Sequence, residues 1–409
     1  MIAAPPPLAG PVSTMLPSPD QTLLLRSALW PPEAAREALL AWQARGPRPA
    51  ARLARDQGGG KLLAPLICAT VREDHASGLE PRLTTYLRTA LVREELRGGA
   101  YREILGALLK AFESGGPPVT LLGGAALAET VYPRPELRHS HGILLLMADG
   151  MEAEAVAVLP AAGFKVAPGA RRRPKDPIGA VHTSGLPLWL HRCPPVFTHY
   201  RRFGDDLVKR AEGRLVLGAR INVLAPADQL FLVCARAVTG ERRSTLLWAC
   251  DLWHLLAAER GLDWSAVVDR AAATGASLPF WVLLGYMADA LGTAVPSSAL
   301  DRLATDARHA GAVASEVALT GAAWRPGPKL LPFLRAAGTW RERATVTRWR
   351  LLPSPAALLA TGRITTRRRA PLFYAVRPLR SLFLRARRRL GRESAGDGLR
   401  LPPRPGSPD

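Results

Sequence analysis

Lysine is scarce in this chain: only six of its 55 basic residues are Lys, and the rest are Arg. Ala, Pro and Gly are abundant as well, so a GC-biased genome accounts for much of the Arg excess. The net charge of +21 is therefore weak evidence by itself for a nucleic-acid or acidic-membrane partner. Cysteine is scarcer still. Cys68, Cys193, Cys234 and Cys250 lie far apart with no C-x-x-C spacing. That argues against a zinc ribbon or dithiol redox centre and favours buried thiols in a reducing compartment. No apolar run approaches the roughly 18 residues of a membrane-spanning helix. No N-terminal stretch combines a charged start, an apolar run and a small-residue cleavage site. The expected location is cytoplasmic. There is no internal repeat of fixed period.

What remains is a 409-residue chain, 48% hydrophobic, with room for more than one folded unit. Residues 1–20 are Pro-rich and expected to be disordered. Residues 21–116 read as a helical lead-in, broken at Pro31-Pro32 and Gly46-Pro47 and closed by Gly115-Gly116-Pro117-Pro118. Strand-like runs follow at Val119–Leu122, Gly142–Met147, Gly163–Val166 and Leu186–His191, with a helix between Met151 and Leu159. This alternation predicts an α/β core over 117–225. Helical periodicity returns in 226–295 as four segments, with Asp263 and Ser277 placed to cap two of them. Residues 296–362 are poorly defined, although Trp324, Trp340 and Trp349 predict partial packing. Residues 363–409 hold an Arg-rich amphipathic segment and a loose tail. The fold class is α+β: a small mixed sheet flanked by helical regions on both sides.

The most informative stretch is Val119-Thr-Leu-Leu-Gly-Gly-Ala-Ala-Leu-Ala-Glu, followed by Tyr132-Pro133, Arg138 and a second apolar strand. A strand leads into a Gly-Gly turn, and a helix starts there. Glycines let a backbone approach phosphate closely, and the helix start turns free N–H groups toward it. With Gly163-Phe164, Leu190-His191 and Trp248-Ala249-Cys250-Asp251-Leu252 in the same order and spacing, the chain resembles the uncharacterised bacterial nucleotidyltransferase-like proteins of the polymerase-beta-type superfamily. The resemblance covers roughly residues 22–295. It implies a nucleotidyltransferase core, with Gly123, Gly124 and Arg138 as nucleotide-binding candidates.

The departures fall on the chemistry. The family's Asp-x-Asp strand lines up with Gly142-Ile143-Leu144, a third carboxylate lines up with Trp189, and the Lys before the glycines lines up with Gly123. Nucleotidyl transfer uses two magnesium ions, hard cations that need oxygen ligands. Asp at i and i+2 of a strand point to one side and grip both ions, which Gly and Leu cannot do. The expectation is a degenerate enzyme: no catalytic residues, no metal ligands, and a nucleoside triphosphate retained as a bound partner. The alternative is an active transferase dependent on Mg2+, with carboxylates recruited from elsewhere.

Other candidates carry competing readings. His139 and His141 are either a solvated pair, the favoured reading, or imidazole ligands for a transition metal. His191 is better read as a fold-supporting group than as an acid/base. Asp251, in an apolar helix, is expected to pair with an Arg, such as Arg236 or Arg243, or to cap a neighbouring element. Asp149, Asp205 and Asp206 read as turn or surface residues. From Arg363 to Arg392 there are eleven Arg and no Lys, Asp or Glu. Leu379, Leu382, Phe383, Ala386 and Leu390 share one helical face there. That pattern fits an anionic membrane surface at the inner face of the membrane, and next to it nucleic acid, against a solvated helix.

Overall fold

The computed structural model describes residues 16–56, 59–71, 77–166, 177–192, 206–239, 246–259, 261–274 and 276–310, together with 340, 344, 368, 371, 373 and 374. The chain divides into two compact units, 1–347 and 348–409. In the second unit the rings of Phe373 and Tyr374 meet edge-on. The basic segment Arg363–Arg392 and the N-terminal residues 1–15 lie almost wholly or wholly outside the described residues, as do Cys193, Asp205 and Arg243.

The first unit is α+β. Seven strands form one mixed sheet: β1 (Val119–Leu122), β2 (Ile143–Met147), β3 (Phe164–Val166), β4 (Ile178–His182), β5 (Pro187–His191), β6 (Glu212–Val216) and β7 (Ala219–Val223). Their order is β3-β4-β5-β2-β1-β7-β6. β1 runs antiparallel to β2 and parallel to β7, while β2 runs parallel to β5. All four residues of β1 are buried, as expected of a central strand covered on both faces.

Twelve α-helices surround the sheet among the described residues. The N-terminal group is α1 (Pro19–Leu29), α2 (Pro32–Ala44), α3 (Pro49–Ala54), α4 (Ala64–Thr70) and α5 (Pro81–Gly115). α6 (Gly123–Thr130) and α7 (Glu152–Ala157) belong to the sheet region. After the sheet come α8 (Pro226–Thr239), α9 (Leu247–Ala258), α10 (Trp264–Thr274), α11 (Ser277–Leu291) and α12 (Ser297–Ala310).

The helices before and after the sheet share one apolar cluster, running from Leu24 and Leu39 through Phe231 and Trp248 to Leu303. Polar contacts tie its ends together. The Thr22 and Tyr286 hydroxyls are 2.9 Å apart, Arg26 Nε donates to the Ala290 carbonyl, and Trp30 Nε1 donates to the Leu291 carbonyl. A second cluster lies on one face of the sheet, where Leu121, Ile143, Leu145, Leu188 and Ile221 meet Leu105, Leu109 and Phe112 of α5. Helix α5 serves both: its Leu83 and Leu87 belong to the first cluster, and its C-terminal half belongs to the second.

Helix α5 is one element, although its sequence shows two periodic runs separated by Gly98-Gly99. Glycine inside a helix costs about 1 kcal/mol relative to Ala. At Gly98 the reason is space. A Cβ there would stand 2.5 Å from the Glu136 carbonyl oxygen and 2.8 Å from its Cα. The short 3-10 turn Pro135–Leu137 therefore lies against the helix at that point. Ser277 does not cap α11 as expected: it is the first residue of the helix, and its hydroxyl is buried with no partner. Asp263 does cap, accepting from the Ala266 N–H at 3.0 Å.

Gly98→Ala should destabilise the protein by about 1–3 kcal/mol, the usual penalty for overpacking against backbone. Gly99→Ala, with nothing within 4 Å of its Cβ position, should be neutral or stabilising. Urea denaturation of the two variants checks the contrast.

Candidate functional site

The sheet has two chemically different faces because strand side chains alternate. The residues packed on α5 are apolar. The opposite face carries Thr120 and Leu122 of β1, Leu144 and Leu146 of β2, and Trp189 and His191 of β5. Pairing aligns Thr120 with Leu146 and His191, and Leu122 with Leu144 and Trp189. The Thr120 hydroxyl is fully buried and has no hydrogen-bond partner. Over this face stand the Gly123-Gly124 turn and α8.

Gly123 is in the left-handed region at φ +65, and a Cβ on it would stand 2.8 Å from Arg236 Nη1. A Cβ on Gly124 would stand 2.8 Å from Ser140 Oγ and 2.9 Å from Arg138 Nη1. The two glycines thus admit two guanidinium groups to the start of α6, and no other residue type leaves that space.

The two arginines have different fates. Arg138 is buried and pairs with Asp251 of α9, Nε to Oδ1 at 2.7 Å and Nη2 to Oδ2 at 2.8 Å. Its Nη1 donates to the His139 carbonyl. The Tyr132 hydroxyl completes the arrangement, donating to Asp251 Oδ1 at 2.8 Å. Burial disfavours the Arg138 charge, but the Asp251 carboxylate outweighs it and raises the Arg138 pKa. Asp251 thus pairs with an Arg, as the sequence reading expected, but the partner is Arg138 rather than Arg236, and Arg243 lies outside the described residues. The reason is reach and shape: a planar fork against a carboxylate gives two parallel bonds.

Arg236 has no ion-pair partner among the described residues. Its side chain is solvent-exposed, yet its pKa is lowered, first by burial of the guanidinium and then by the neighbouring Arg138 charge. Across from it, His191 is buried, and its pKa is pushed down to about 4, by burial and then by the Arg236 charge. Sequence reasoning had Arg236 only as a partner for Asp251. The available signal was a lone cation ending the apolar run Leu230–Ala235.

Gly142, Leu144 and Trp189 carry no side-chain oxygen. A Cβ on Gly142 would lie 2.4 Å from Trp189 Cζ3 and 2.8 Å from the Pro187 carbonyl oxygen, so the indole fills the space into which a side chain at 142 would project. Asp149 and Glu152 are engaged by Arg192, and Asp206 is exposed. Among the described residues, no group of three or more His, Cys, Asp or Glu is arranged to hold a metal ion. Around Gly142 the described side chains offer magnesium no oxygen ligand.

His139 and His141 are not simply solvated. Their Nε2 atoms are 3.2 Å apart, and His139 Nδ1 lies 3.0 Å from both oxygens of buried Glu94 on α5.

A model of an uncharacterised nucleotidyltransferase family matches residues 47–292, more than half of the chain. The chain belongs to that family. No curated protein and no solved structure matches it. Tyr132, Arg138 and Asp251, which carry three separate pieces of the sequence resemblance, are one hydrogen-bonded unit in this family member.

Removing one partner of the buried pair, by Arg138→Ala or Asp251→Ala, should cost about 3–5 kcal/mol, since an uncompensated charge stays behind. An apolar replacement of both, Arg138→Met with Asp251→Leu, should recover much of that loss in a denaturant-based double-mutant cycle. Two histidines with lowered pKa give a pH dependence. Burial pushes both His191 and His254 down to about 4 in the folded chain, against an ordinary value of 6.5. Between these values the unfolded chain binds more protons, so stability should fall as pH drops from 6.5 toward 4, by up to roughly 3 kcal/mol for each His. His191→Gln and His254→Gln should each flatten that slope in urea titrations across the window.

Proposed function

We propose that this nucleotidyltransferase-fold protein has lost metal-dependent nucleotidyl transfer and acts by binding. It holds the phosphates of a nucleoside triphosphate at the Gly123-Gly124 turn. The observation that carries this reading is the Trp189 ring lying across Gly142, where the family resemblance places a magnesium-binding carboxylate. A strand bearing Gly142 and Leu144 offers no oxygen to a hard cation, and the indole closes the space that such a ligand would need.

Positive charge is still present on the same face. Arg138 is matched by Asp251, which reassigns the phosphate role anticipated for it to Arg236. Arg236 lies next to the N–H groups at the start of α6, where helix polarity also favours an anion. Such a cleft can neutralise a triphosphate without a metal. It lacks the clamp that would stabilise charge on a departing pyrophosphate. The protein then serves an accessory or scaffold role in which nucleotide occupancy is the signal. The active alternative needs acidic groups in the cleft, and the nearest one, Asp251, already accepts from Arg138 and Tyr132.

Titration of the full chain with ATP, GTP, CTP and UTP should reveal binding whose affinity is the same with magnesium or with EDTA. Arg236→Ala should weaken it by about tenfold or more, the value of a charge-assisted contact. Release of pyrophosphate with magnesium or manganese, or binding that disappears in EDTA, would overturn the reading.

A further inference from the structure

The segment leading into β2 presents alternate residues to opposite sides. Arg138 and Ser140 turn toward Gly124, while His139 turns toward Glu94 and meets His141. The two histidines are thus separate from the nucleotide cleft, and their arrangement is specific. The Nε2 atoms are 3.2 Å apart, and the rings cross at 82°. Two nitrogens bound to one tetrahedral ion at 2.0–2.1 Å are roughly 3.3 Å apart. Behind His139, Glu94 accepts from Nδ1, which fixes the tautomer that leaves a lone pair on Nε2. A carboxylate behind a ligating imidazole is the usual outer-shell partner of zinc-bound histidine, orienting the ring and raising its basicity.

Glu94 is itself held in place. Its carboxylate accepts from Arg97 Nε at 3.0 and 3.1 Å, and Arg97 Nη1 donates to the Ser140 carbonyl at 2.8 Å. The backbone between the two histidines is therefore pinned to α5, and His141 remains exposed.

We propose that His139 and His141 form a two-imidazole site for a borderline divalent transition-metal ion of the zinc class, with Glu94 as its outer-shell carboxylate. Imidazole suits zinc, nickel and copper and has little affinity for magnesium, so this site does not replace the nucleotidyltransferase metals. In the metal-free chain one Nε2–H lies between the two nitrogens. A tautomer shift in the exposed His141 ring frees its Nε2 lone pair, and a small swing of that ring brings both nitrogens onto the ion. Water fills the remaining positions, so the site is open to an anionic ligand from solution.

The test uses the full chain stripped with a chelator and dialysed. Zinc titration against a chromophoric competitor should show one equivalent bound. Cobalt should give a visible d–d band that zinc displaces. His141→Ala, at an exposed position where folding is not at stake, should weaken zinc by at least about tenfold and remove the cobalt band. Glu94→Gln should weaken zinc by roughly 10–100-fold, the usual effect of losing an outer-shell carboxylate, with a thermal melt confirming that it is folded. Wild-type protein that binds no zinc, or His141→Ala that binds as tightly as wild type, would overturn the proposal. Because the pair faces away from Gly124, nucleotide affinity should be the same in His141→Ala as in wild type, so each result stands apart from the binding reading above.

Discussion

A charge inside a protein needs its opposite, and the bond between Arg138 and Asp251 meets that need at the junction of sheet and helices. The arginine belongs to the segment that enters β2, and the aspartate belongs to α9. Burying either alone would be strongly unfavourable. Together, with the Tyr132 hydroxyl on one carboxylate oxygen, they fix where the second half of the chain docks against the first. The Gly123-Gly124 turn follows from that docking, because Gly124 has to accommodate the Arg138 guanidinium and Ser140 at van der Waals distance or closer.

Once Arg138 is spoken for, the electrostatics of the cleft face rest on Arg236. Its guanidinium has no ion-pair partner among the described residues, and its pKa is lowered by burial and by the neighbouring Arg138 charge. Burial, and after it the Arg236 charge, lowers the His191 pKa. The described residues on this face are thus apolar, neutral polar or cationic.

Much of the scaffold was legible in the residues. The strands β1, β2, β3 and β5 announced themselves as apolar runs bounded by Gly and Pro, and α8 to α11 by their period. β4, β6 and β7 did not. Ile178–His182 includes a glycine and an exposed valine. Glu212–Val216 lies at the sheet edge with four of its five residues exposed, so it has no apolar alternation to detect. The hairpin joining β6 to β7 turns on Leu217 and Gly218, both at positive φ. Leucine is a poor advertisement for a left-handed turn. It is tolerated here because its side chain packs on Gly106 of α5. The site was less legible than the fold. Gly123 and Gly124 were marked by the motif, but which cation each would meet depends on helix docking, a long-range fact that local spacing does not encode. Glu94 gave no signal at all among the charged residues of its helix.

Helix α5 extends for 35 residues, roughly 50 Å, and belongs to both apolar clusters. Neither cluster has a boundary of its own, since the same rod supplies a wall to each. Fraying the rod from one end therefore withdraws support from the other, and the two cores are thermodynamically one body. An independently melting subdomain has no place to begin in such an arrangement.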